Sequence, residues 1–364
     1  MKSLRYGFST GTAATAAALG ALLWLRGEGQ DTVEITLPQG LKVPIPIAAI
    51  RRTQEGAEAW VIKDGGDDPD ITSGLAVVAS LRYTDRKGIT LLAGPGVGRI
   101  TRPGLPLAVG EPAINPGPRE LLMSHLLPLL PPHVGLEVTL SIPGGEEKAE
   151  KTFNPRLGIV GGLSILGTRG LVVPMSDEAL VATIHSELAV RCAEGCVDLC
   201  LVPGNYGRAV ARNLKIVEKR IVTISNYIGF TLEKIAELPV KSLLVVGQVG
   251  KLMKVAGGTL HTHSRYSDGR RETFAALAAR EGATSSEVNS ILEANTLDEA
   301  VTTSRGRPWR ESALAAAAER AATKIALAAP NLHQVGVVLF TLPDRVVSHS
   351  KAVNELIPRL EVEP

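Results

Sequence analysis

Residues 151–168 read Lys-Thr-Phe-Asn-Pro-Arg-Leu-Gly-Ile-Val-Gly-Gly-Leu-Ser-Ile-Leu-Gly-Thr, a glycine-rich run in which Asn154 and Arg156 are polar anchors. The pattern of the sequence changes at this run. Short β-rich segments separated by turns come before it, and helical segments alternating with apolar strands come after it. We therefore predict one domain over residues 1–148 and a second over residues 149–364, with the run at the entry to the second.

The first domain is predicted to be an α+β unit that begins with a helix over residues 13–25. This apolar run is alanine-rich, follows the cap candidates Ser9 and Thr10, and is too short to span a bilayer. We interpret it as a buried helix rather than a signal peptide. A second helix is predicted over 116–130 and a turn over 144–148. Strands are predicted at 32–37, 43–47, 59–63, 75–83, 89–92 and 137–142.

The second domain is predicted to be a three-layer α/β unit with a mostly parallel sheet. Apolar strands alternate with helical segments, a rhythm that is typical of crossover connections between parallel strands. Residues 270–329 carry several consecutive helical patterns and no strand pattern. The predicted strands are 197–202, 221–224, 242–246 and 335–340, and the predicted helices include 178–191, 231–238 and 311–328.

The composition excludes several classes of protein. With 364 residues, of which 45% are hydrophobic and 21% charged, the chain resembles an ordinary α/β protein. A formal net charge of +2 is too weak for a general nucleic-acid binder. The three cysteines, Cys192, Cys196 and Cys200, are too crowded for a disulfide framework, so we expect buried structural thiols and a reducing, cytoplasmic location.

Three strands of the second domain are followed by glycine and polar residues, in the segments 203–207, 225–229 and 247–251. Ligands of open α/β sheets bind at the carboxyl ends of strands, where glycine lets the backbone approach and helix N–H groups are available. An ordinary turn is the alternative for each segment. Segment 247–251 lacks the glycine spacing of a phosphate loop, and Leu252 replaces the required hydroxyl residue, so nucleotide hydrolysis is not predicted.

Two clusters of titratable residues are candidates for chemistry. Residues 63–70 contain four aspartates, whose repulsion would raise a pKa or attract a cation, although a solvated acidic turn is the alternative. His261 and His263, followed by Asp268, resemble part of a metal site. No further ligand is evident, and we predict no protein-bound metal.

Several of these segments, in this order, resemble the CbiD family, the cobalt-precorrin-5B C-1 methyltransferases, over nearly the whole chain. Ala13 stands where the family pattern usually has cysteine, and Gln248 where histidine usually follows the strand glycine. If either position does chemistry in the family, this chain manages without it. The resemblance is carried by residues 7–12 (Gly-Phe-Ser-Thr-Gly-Thr), 63–70, 96–98, 111–116, 152–159, 161–167, 203–207, 225–226 and 262–264.

The resemblance implies a CbiD-like fold and a methyl transfer from S-adenosylmethionine to ring carbon C-1 of a cobalt-bearing contracted tetrapyrrole. The product would be cobalt-precorrin-6A, in anaerobic cobalamin (corrin) biosynthesis. Cobalt would arrive with the substrate, so no protein metal site is required. An in-line displacement depends mainly on holding donor and ring carbon in contact. The sequence lacks the signature of the commonest methyltransferase fold, so no standard motif identifies the residues that bind the co-substrate.

We assign the site residues from their chemistry and their place in the family segments. A base or a carboxylate near the sulfonium would assist the transfer, and the catalytic candidates are Asp64, Asp67, Asp68 and His263. S-adenosylmethionine is expected on the carboxyl edge of the second-domain sheet, at Gly204, Asn205, Tyr206, Gly207 and Asn226. The macrocycle, which bears many carboxylates, is expected between the domains. Its candidate ligands are Arg99, Arg102, Asn115, Arg119, Lys151, Asn154, Arg156, Ser164 and Lys251, and a solvated surface charge is the alternative for each cation.

Two other functions stay open. A metal-dependent hydrolase would use His261, His263 and Asp268. A non-enzymatic tetrapyrrole carrier would keep the cationic residues without a pocket for S-adenosylmethionine. We expect a small-molecule tetrapyrrole partner and neither nucleic acid nor membrane, and a homo-oligomer is compatible with the sequence.

Overall fold

A computed structural model of the chain describes residues 4–174 and 176–364. It divides into two compact units, Met1–Asp177 and Glu178–Pro364. The division lies after the predicted boundary between residues 148 and 149, because three short strands beyond that boundary pair within the first unit. Ile159–Val160 pairs with Arg99–Ile100, Gly162–Leu163 with Gly96–Val97, and Leu171–Val172 with Gly7–Phe8.

The first unit combines a mixed sheet with few helices, as the predicted α+β class requires. Its helices are α1 (Thr10–Leu25), α2 (Pro116–Leu126) and α3 (Gly145–Ala149), with 3-10 turns at Leu127–Leu129 and Asn154–Leu157. Its strands are β1 (Gly7–Phe8), β2 (Thr32–Thr36), β3 (Lys42–Pro46), β4 (Ala49–Arg52), β5 (Gly56–Ile62), β6 (Ala76–Thr84), β7 (Gly88–Ala93), β8 (Gly96–Val97), β9 (Arg99–Ile100), β10 (Gly135–Ser141), β11 (Ile159–Val160), β12 (Gly162–Leu163) and β13 (Leu171–Val172).

The five-stranded sheet of this unit has the order β4-β5-β6-β10-β7, so β10 lies inside the sheet. Helix α1 packs against β5, β6 and α2, and its alanines are fully buried, which confirms the predicted buried helix. Its N-cap is Ser9, whose side chain accepts from the backbone N–H of Thr12 at 3.1 Å. The turn predicted over 144–148 is wrong: Gly144, at φ +79°, is the N-cap of the short helix α3, which covers Gly145–Ala149.

The second unit alternates strands and helices. Its strands are β14 (Asp198–Val202), β15 (Ile221–Thr223), β16 (Ser242–Gln248), β17 (Gln334–Thr341) and β18 (Arg345–His349). Its helices are α4 (Asp177–Ala193), α5 (Asn205–Asn213), α6 (Ile228–Ile235), α7 (Val249–Ala256), α8 (Arg270–Arg280), α9 (Ser285–Glu293), α10 (Leu297–Thr303), α11 (Arg310–Ala328) and α12 (Val353–Leu360), with a 3-10 turn at Glu218–Arg220.

The sheet of the second unit has the order β15-β14-β16-β17-β18, with the first four strands parallel and β18 antiparallel at the edge. Alternate residues of β16 face opposite sides. Leu243 and Val245 join the core formed with α6, α7 and α11, whereas Leu244 and Val246 join the core formed with α5 and α12. Helices therefore cover both faces, and the predicted three-layer α/β class with a mostly parallel sheet is confirmed.

The three cysteines are free thiols. Cys196 and Cys200 are buried and Cys192 is half-buried, and burial raises the pKa of Cys192 to about 11. Thiols of this kind are structural rather than reactive, as predicted. Over residues 4–174 and 176–364, no helix combines the length and the apolar character that a membrane crossing needs.

Candidate functional site

In the second unit β14 and β16 are neighbours, and we call the place between their carboxyl ends the switch-point crevice. The helix that follows β14 is α5, which packs on one face of the sheet, and the helix that follows β16 is α7, which packs on the other. The connections therefore diverge between two neighbouring strands. In doubly wound sheets ligands bind at this switch point, outside the carboxyl ends of the strands.

Residues 204–207 line the β14 side of this crevice. Gly204 has φ +124° and is the N-cap of α5, so the first free N–H groups of the helix lie there. A Cβ on Gly207 would approach the carbonyl oxygen of Val246 to 2.8 Å, so glycine lets α5 approach the sheet. The Asn205 and Tyr206 side chains are exposed in the first turn. The structure thus places four predicted S-adenosylmethionine ligands at the switch point.

Lys251 lies across the crevice, in the first turn of α7. Its Nζ donates to the carbonyl oxygen of Pro203, directly after β14, at 2.8 Å. Burial lowers its pKa, and the nearby ammonium of Lys254 lowers it further. A half-buried cation with proton donors to spare is suited to an anionic ligand group, which would offset the cost of burial.

Asn226 follows β15, the neighbour of β14 on its other side. The Thr262 hydroxyl donates to Oδ1 of Asn226 at 3.1 Å, and the Thr262 backbone N–H donates to the Asn226 carbonyl at 3.1 Å. These bonds hold residues 259–267 beside the carboxyl end of β15. Within residues 4–174 and 176–364, the amide nitrogen of Asn226 donates to no other protein group, so its N–H donors are available to a ligand.

His263 is exposed in the same segment. Its Nδ1 accepts the backbone N–H of Arg265 at 3.1 Å, so in the neutral ring Nε2 carries the proton. The neutral imidazole therefore presents a hydrogen-bond donor at Nε2. Of the four catalytic candidates, His263 is the one that the structure places in the second unit.

The metal-site alternative receives no support from this geometry. Asp268 forms a two-point ion pair with Arg270, with N to O distances of 2.8 and 3.2 Å, and the hydrogen bond from Arg270 lowers its pKa. Within the described ranges 4–174 and 176–364, no three His, Cys, Asp or Glu side chains are grouped to hold a metal ion. The three residues of the hydrolase hypothesis are thus not assembled as a ligand set.

A carboxylate that sequence reasoning missed also reaches this edge. Asp298, in α10, accepts from Nε2 of Gln248 at 2.9 Å and from the backbone N–H of Leu342 at 3.0 Å. It thereby links the carboxyl ends of β16 and β17. The signal was hidden because Asp298 lies in a helical pattern and is separated from Gln248 by 50 residues.

Two of the four aspartates in the acidic segment 63–70 of the first unit form ion pairs. Asp64 pairs with the guanidinium of Arg5, and Asp70 pairs with Lys63, whose side chain is 1% exposed. Asp67 accepts the backbone N–H of Arg5 at 2.7 Å, and Asp68 lies in the same loop. The loop is thus tied to the chain segment that leads into β1.

These contacts disfavour proton transfer by the acidic loop. The hydrogen bond from Arg5 lowers the pKa of Asp64. Burial works against the charged form of Asp70, but the hydrogen bonds from Lys63 and Thr72 outweigh it, and the pKa of Asp70 is lowered as well. A general base works best with a pKa near the operating pH. The pairing of these carboxylates therefore indicates a structural role.

The run 151–168 also uses its polar side chains internally. Nδ2 of Asn154 donates to the carbonyl oxygen of Gly162 at 3.0 Å, and the Ser164 hydroxyl donates to Oδ1 of Asn154 at 3.3 Å. Both side chains are buried. The Thr10 hydroxyl, in the first turn of α1, donates to the carbonyl oxygen of Leu166 at 3.1 Å. The run thus forms a support for the beginning of α1.

The predicted substrate ligands of the first unit fall into two groups. Arg119 donates to the carbonyl oxygens of Ile114 and Pro112 at 2.7 and 3.3 Å, and Arg102 packs along the face of Gly158. The other four remain accessible. Asn115 is the exposed N-cap of α2 and makes no side-chain capping bond, Arg99 and Lys151 are exposed, and the Arg156 guanidinium lies 5.3 Å from the centre of the Phe153 ring.

A groove of about 820 Å³ lies in the first unit, between α1, α2 and the β2-β3 hairpin. None of the predicted site residues lines it, and its charged lining residues are Glu34 and Glu120. A groove whose charged residues are acidic does not suit a polyanionic macrocycle. We therefore do not assign the substrate to it.

Comparisons with known proteins give a consistent result. The family model described as CbiD matches residues 1–174, and the model described as CbiD, C-terminal domain, matches residues 261–351. A relative from Alkaliphilus metalliredigens is 39% identical over 364 residues, which cover 100% of this chain and 96% of that protein. A relative from Moorella thermoacetica is 41% identical and covers 98% of both chains. Both carry the name cobalt-precorrin-5B C(1)-methyltransferase.

One solved structure is also similar, the cobalamin biosynthesis protein cbiD from Archaeoglobus fulgidus. It is 28% identical to this chain, and the match covers 70% of this chain and 80% of that one. The TM-score is 0.38.

Proposed function

Because this chain belongs to the CbiD family and is a C-methyltransferase of cobalamin biosynthesis, we propose that it methylates C-1 of cobalt-precorrin-5B with S-adenosylmethionine as the donor. The product is then cobalt-precorrin-6A, and cobalt is part of the substrate. The observation that carries the placement of the donor is the switch-point crevice between Gly204 and Lys251. It offers a cation and free helix N–H groups, as the carboxylate of the donor requires.

S-adenosylmethionine supplies an electrophilic methyl group, and the C-1 to methyl bond forms as the sulfur to methyl bond breaks. The residues of the chain then act by positioning. Lys251 and the first turn of α5 bind the carboxylate of the donor, and Asn226 fixes its other end. His263 is our candidate for handling the proton that leaves the ring system. Asp64, Asp67 and Asp68 remain weaker candidates, because Arg5 pairs with Asp64 and its backbone N–H binds Asp67.

The carboxylates of the macrocycle are assigned to the accessible cations and donors of the first unit. Arg99, Lys151 and Arg156 supply charge, and Asn115 supplies a neutral donor at the beginning of α2. Phe153, which is 39% exposed beneath Arg156, adds an apolar surface for a pyrrole-derived ring. Asn154 and Ser164 bond to each other and to the backbone of Gly162, so we assign them a supporting role and no contact with the substrate.

Anaerobic incubation with cobalt-precorrin-5B and methyl-labelled S-adenosylmethionine tests the reaction. We expect label at C-1 and release of S-adenosylhomocysteine. Absence of incorporation, under conditions in which the Moorella thermoacetica relative is active, would refute the proposed reaction. Isothermal titration with S-adenosylhomocysteine separates a methyltransferase from a tetrapyrrole carrier, because a carrier needs no site for this product.

The placement of the donor is tested by Asn205→Ala and Asn226→Ala. We expect each substitution to weaken S-adenosylhomocysteine binding roughly five- to tenfold, the loss of about one hydrogen bond. Asn213→Ala, in the last turn of the same helix α5, is the control and should leave affinity unchanged. If both test variants bind S-adenosylhomocysteine as tightly as the unmodified chain, the proposed binding of the donor at this sheet edge is refuted.

A further inference from the structure

Aromatic rings gather at the carboxyl end of β15, although aromatic residues make up only 4% of the chain. The ring of His261 lies 4.3 Å from that of Tyr266 and 5.3 Å from that of Tyr227, between ring centres. His263 lies 6.4 Å from His261 and 6.2 Å from Tyr266. We call these four residues the ring cluster. Two of the five tyrosines and two of the seven histidines of the chain are therefore in contact.

The ring cluster is held in place by backbone contacts. Tyr227 and His261 form an antiparallel bridge, and Thr262 is bonded twice to Asn226. These contacts fix the beginning of the segment against the sheet edge. Tyr227 itself is the N-cap of α6, so one side of the cluster is attached to a regular element.

Lys254 fixes the segment that carries the ring cluster through two hydrogen bonds. Its side chain is in α7 and is nearly fully buried, and Nζ donates to the carbonyl oxygens of Thr262 and Ser267 at 3.2 and 2.7 Å. A buried ammonium is retained in a protein only where such acceptors offset its desolvation. Its two bonds span the part of the segment that carries His263 and Tyr266. Lys254 is thus a positioning residue for the ring cluster.

The cluster is ordered and yet open to solvent on one side. Tyr266 is 60% exposed, so most of its ring is uncovered, while its other contacts are with His261 and His263. An ordered aromatic surface beside a ligand crevice is suited to stacking with a planar ring. The neighbouring Asn226 amide nitrogen can donate to a ring nitrogen of such a ligand.

We propose that Tyr266, backed by His261 and Tyr227, forms the wall on which the adenine ring of S-adenosylmethionine stacks. This inference rests on the proposed function, which puts the donor at the same edge. Strands in a sheet lie about 4.8 Å apart, so the carboxyl ends of β15 and β16 are separated by roughly 10 Å. An extended S-adenosylmethionine spans that distance. With its carboxylate at Lys251, its adenine reaches Asn226 and the ring cluster.

The test is isothermal titration of the full chain with S-adenosylhomocysteine. Tyr266→Leu should weaken binding by roughly 5- to 100-fold, the range for loss of one stacked base. Tyr266→Phe keeps the ring and should bind within about twofold of the unmodified chain. Tyr83→Leu, which removes an exposed tyrosine of the first unit, is the control and should have no effect.

The outcomes separate the two proposals. If the unmodified chain binds S-adenosylhomocysteine and Tyr266→Leu binds it equally well, the adenine wall is refuted and the proposed function stands. If Tyr266→Leu changes only the KM for cobalt-precorrin-5B, the ring cluster faces the macrocycle and the inference is again overturned. If the unmodified chain does not bind S-adenosylhomocysteine, both proposals fail together.

Discussion

The glycine-rich run of the first unit and the sheet edge of the second unit contain similar residue types but use them differently. In the run, Asn154 and Ser164 are buried and bond to each other and to the backbone. At the sheet edge, Asn205 and Tyr206 are exposed. Buried polar groups must find partners inside the protein, so the first pattern maintains a fold and the second is available to a ligand.

A segment that is typical of the family therefore need not contact the substrate or the methyl donor. The polar side chains of Asn154 and Ser164 bond within the run, and the backbone of Leu166 supports the beginning of α1 through two hydrogen bonds with the Thr10 hydroxyl. The exposed residues of the same run, such as Lys151 and Phe153, are the ones that remain for a substrate. Burial therefore sorts the residues within one motif into those that hold the chain and those that face solvent.

The largest expected effect is at the buried ion pair of the acidic loop. Lys63→Met leaves Asp70 without its cation, and loss of one partner of a buried pair costs about 3–5 kcal/mol. Urea unfolding at pH 7 measures the change in the free energy of unfolding. Lys42→Met, which removes an exposed cation paired with Glu34, is the control and should have a much smaller effect. Equal losses in both variants would show that Lys63 is not a structural residue.

The pH dependence sharpens this prediction. The folded state lowers the pKa of Asp70, so Asp70 stabilises the unmodified chain above its unfolded pKa of about 3.9 and loses that contribution as pH falls through the folded value. In Lys63→Met, burial without the cation favours the protonated carboxyl. The difference in unfolding free energy between the two proteins should therefore shrink from pH 7 to pH 4. A constant difference would contradict the ion pair.

A medium effect is expected in the glycine-rich run. Asn154→Ala leaves a buried carbonyl and the Ser164 hydroxyl without partners, which costs about 1–3 kcal/mol of stability. Asn115→Ala removes an exposed side chain without a capping bond, so it should leave stability unchanged and raise the KM for the macrocycle. Unfolding and steady-state kinetics of both variants decide the assignment. A stable Asn154→Ala protein with weakened substrate binding would make Asn154 a ligand after all.

A smaller effect is expected at the switch-point crevice. Lys251→Met should weaken S-adenosylhomocysteine binding about tenfold, or about 1.4 kcal/mol, without loss of stability, because it removes a charge whose burial is costly. The control is Lys241→Met, which removes an exposed lysine just before β16, at the opposite edge of the sheet. Unchanged affinity for Lys251→Met would contradict the proposed role of the ammonium.

The sequence predicted the fold class because apolar periodicity reports burial directly. Strands 197–202 and 242–246 are buried on both sides, and the alanines of α1 are buried throughout. Two-residue strands such as β11 and β12 have no periodicity, so the sequence offered no sign that residues 149–177 pair within the first unit. The antiparallel edge strand β18 was missed for a related reason, since its exposed pattern resembles a loop.

The site was predictable only in part. Glycine and asparagine after β14 indicated the sheet edge, and the strand order places them at its switch point. Asp298 and Tyr266 could not be assigned, because they reach the edge from segments with no motif of their own. The pairing of Asp64 with Arg5 was equally hidden, since 59 residues separate them. Sequence patterns do not indicate which single side chains come into contact when they are far apart along the chain.

Amide hydrogen exchange of the full chain, with and without S-adenosylhomocysteine, tests the central claim most directly. We predict that the ligand slows exchange at residues 203–207, 226–228, 249–252 and 259–267 of the second unit, while residues 151–168 of the first unit stay unchanged. Slowed exchange confined to residues 151–168, with no change at the sheet edge, would place the donor on the glycine-rich run and contradict the account.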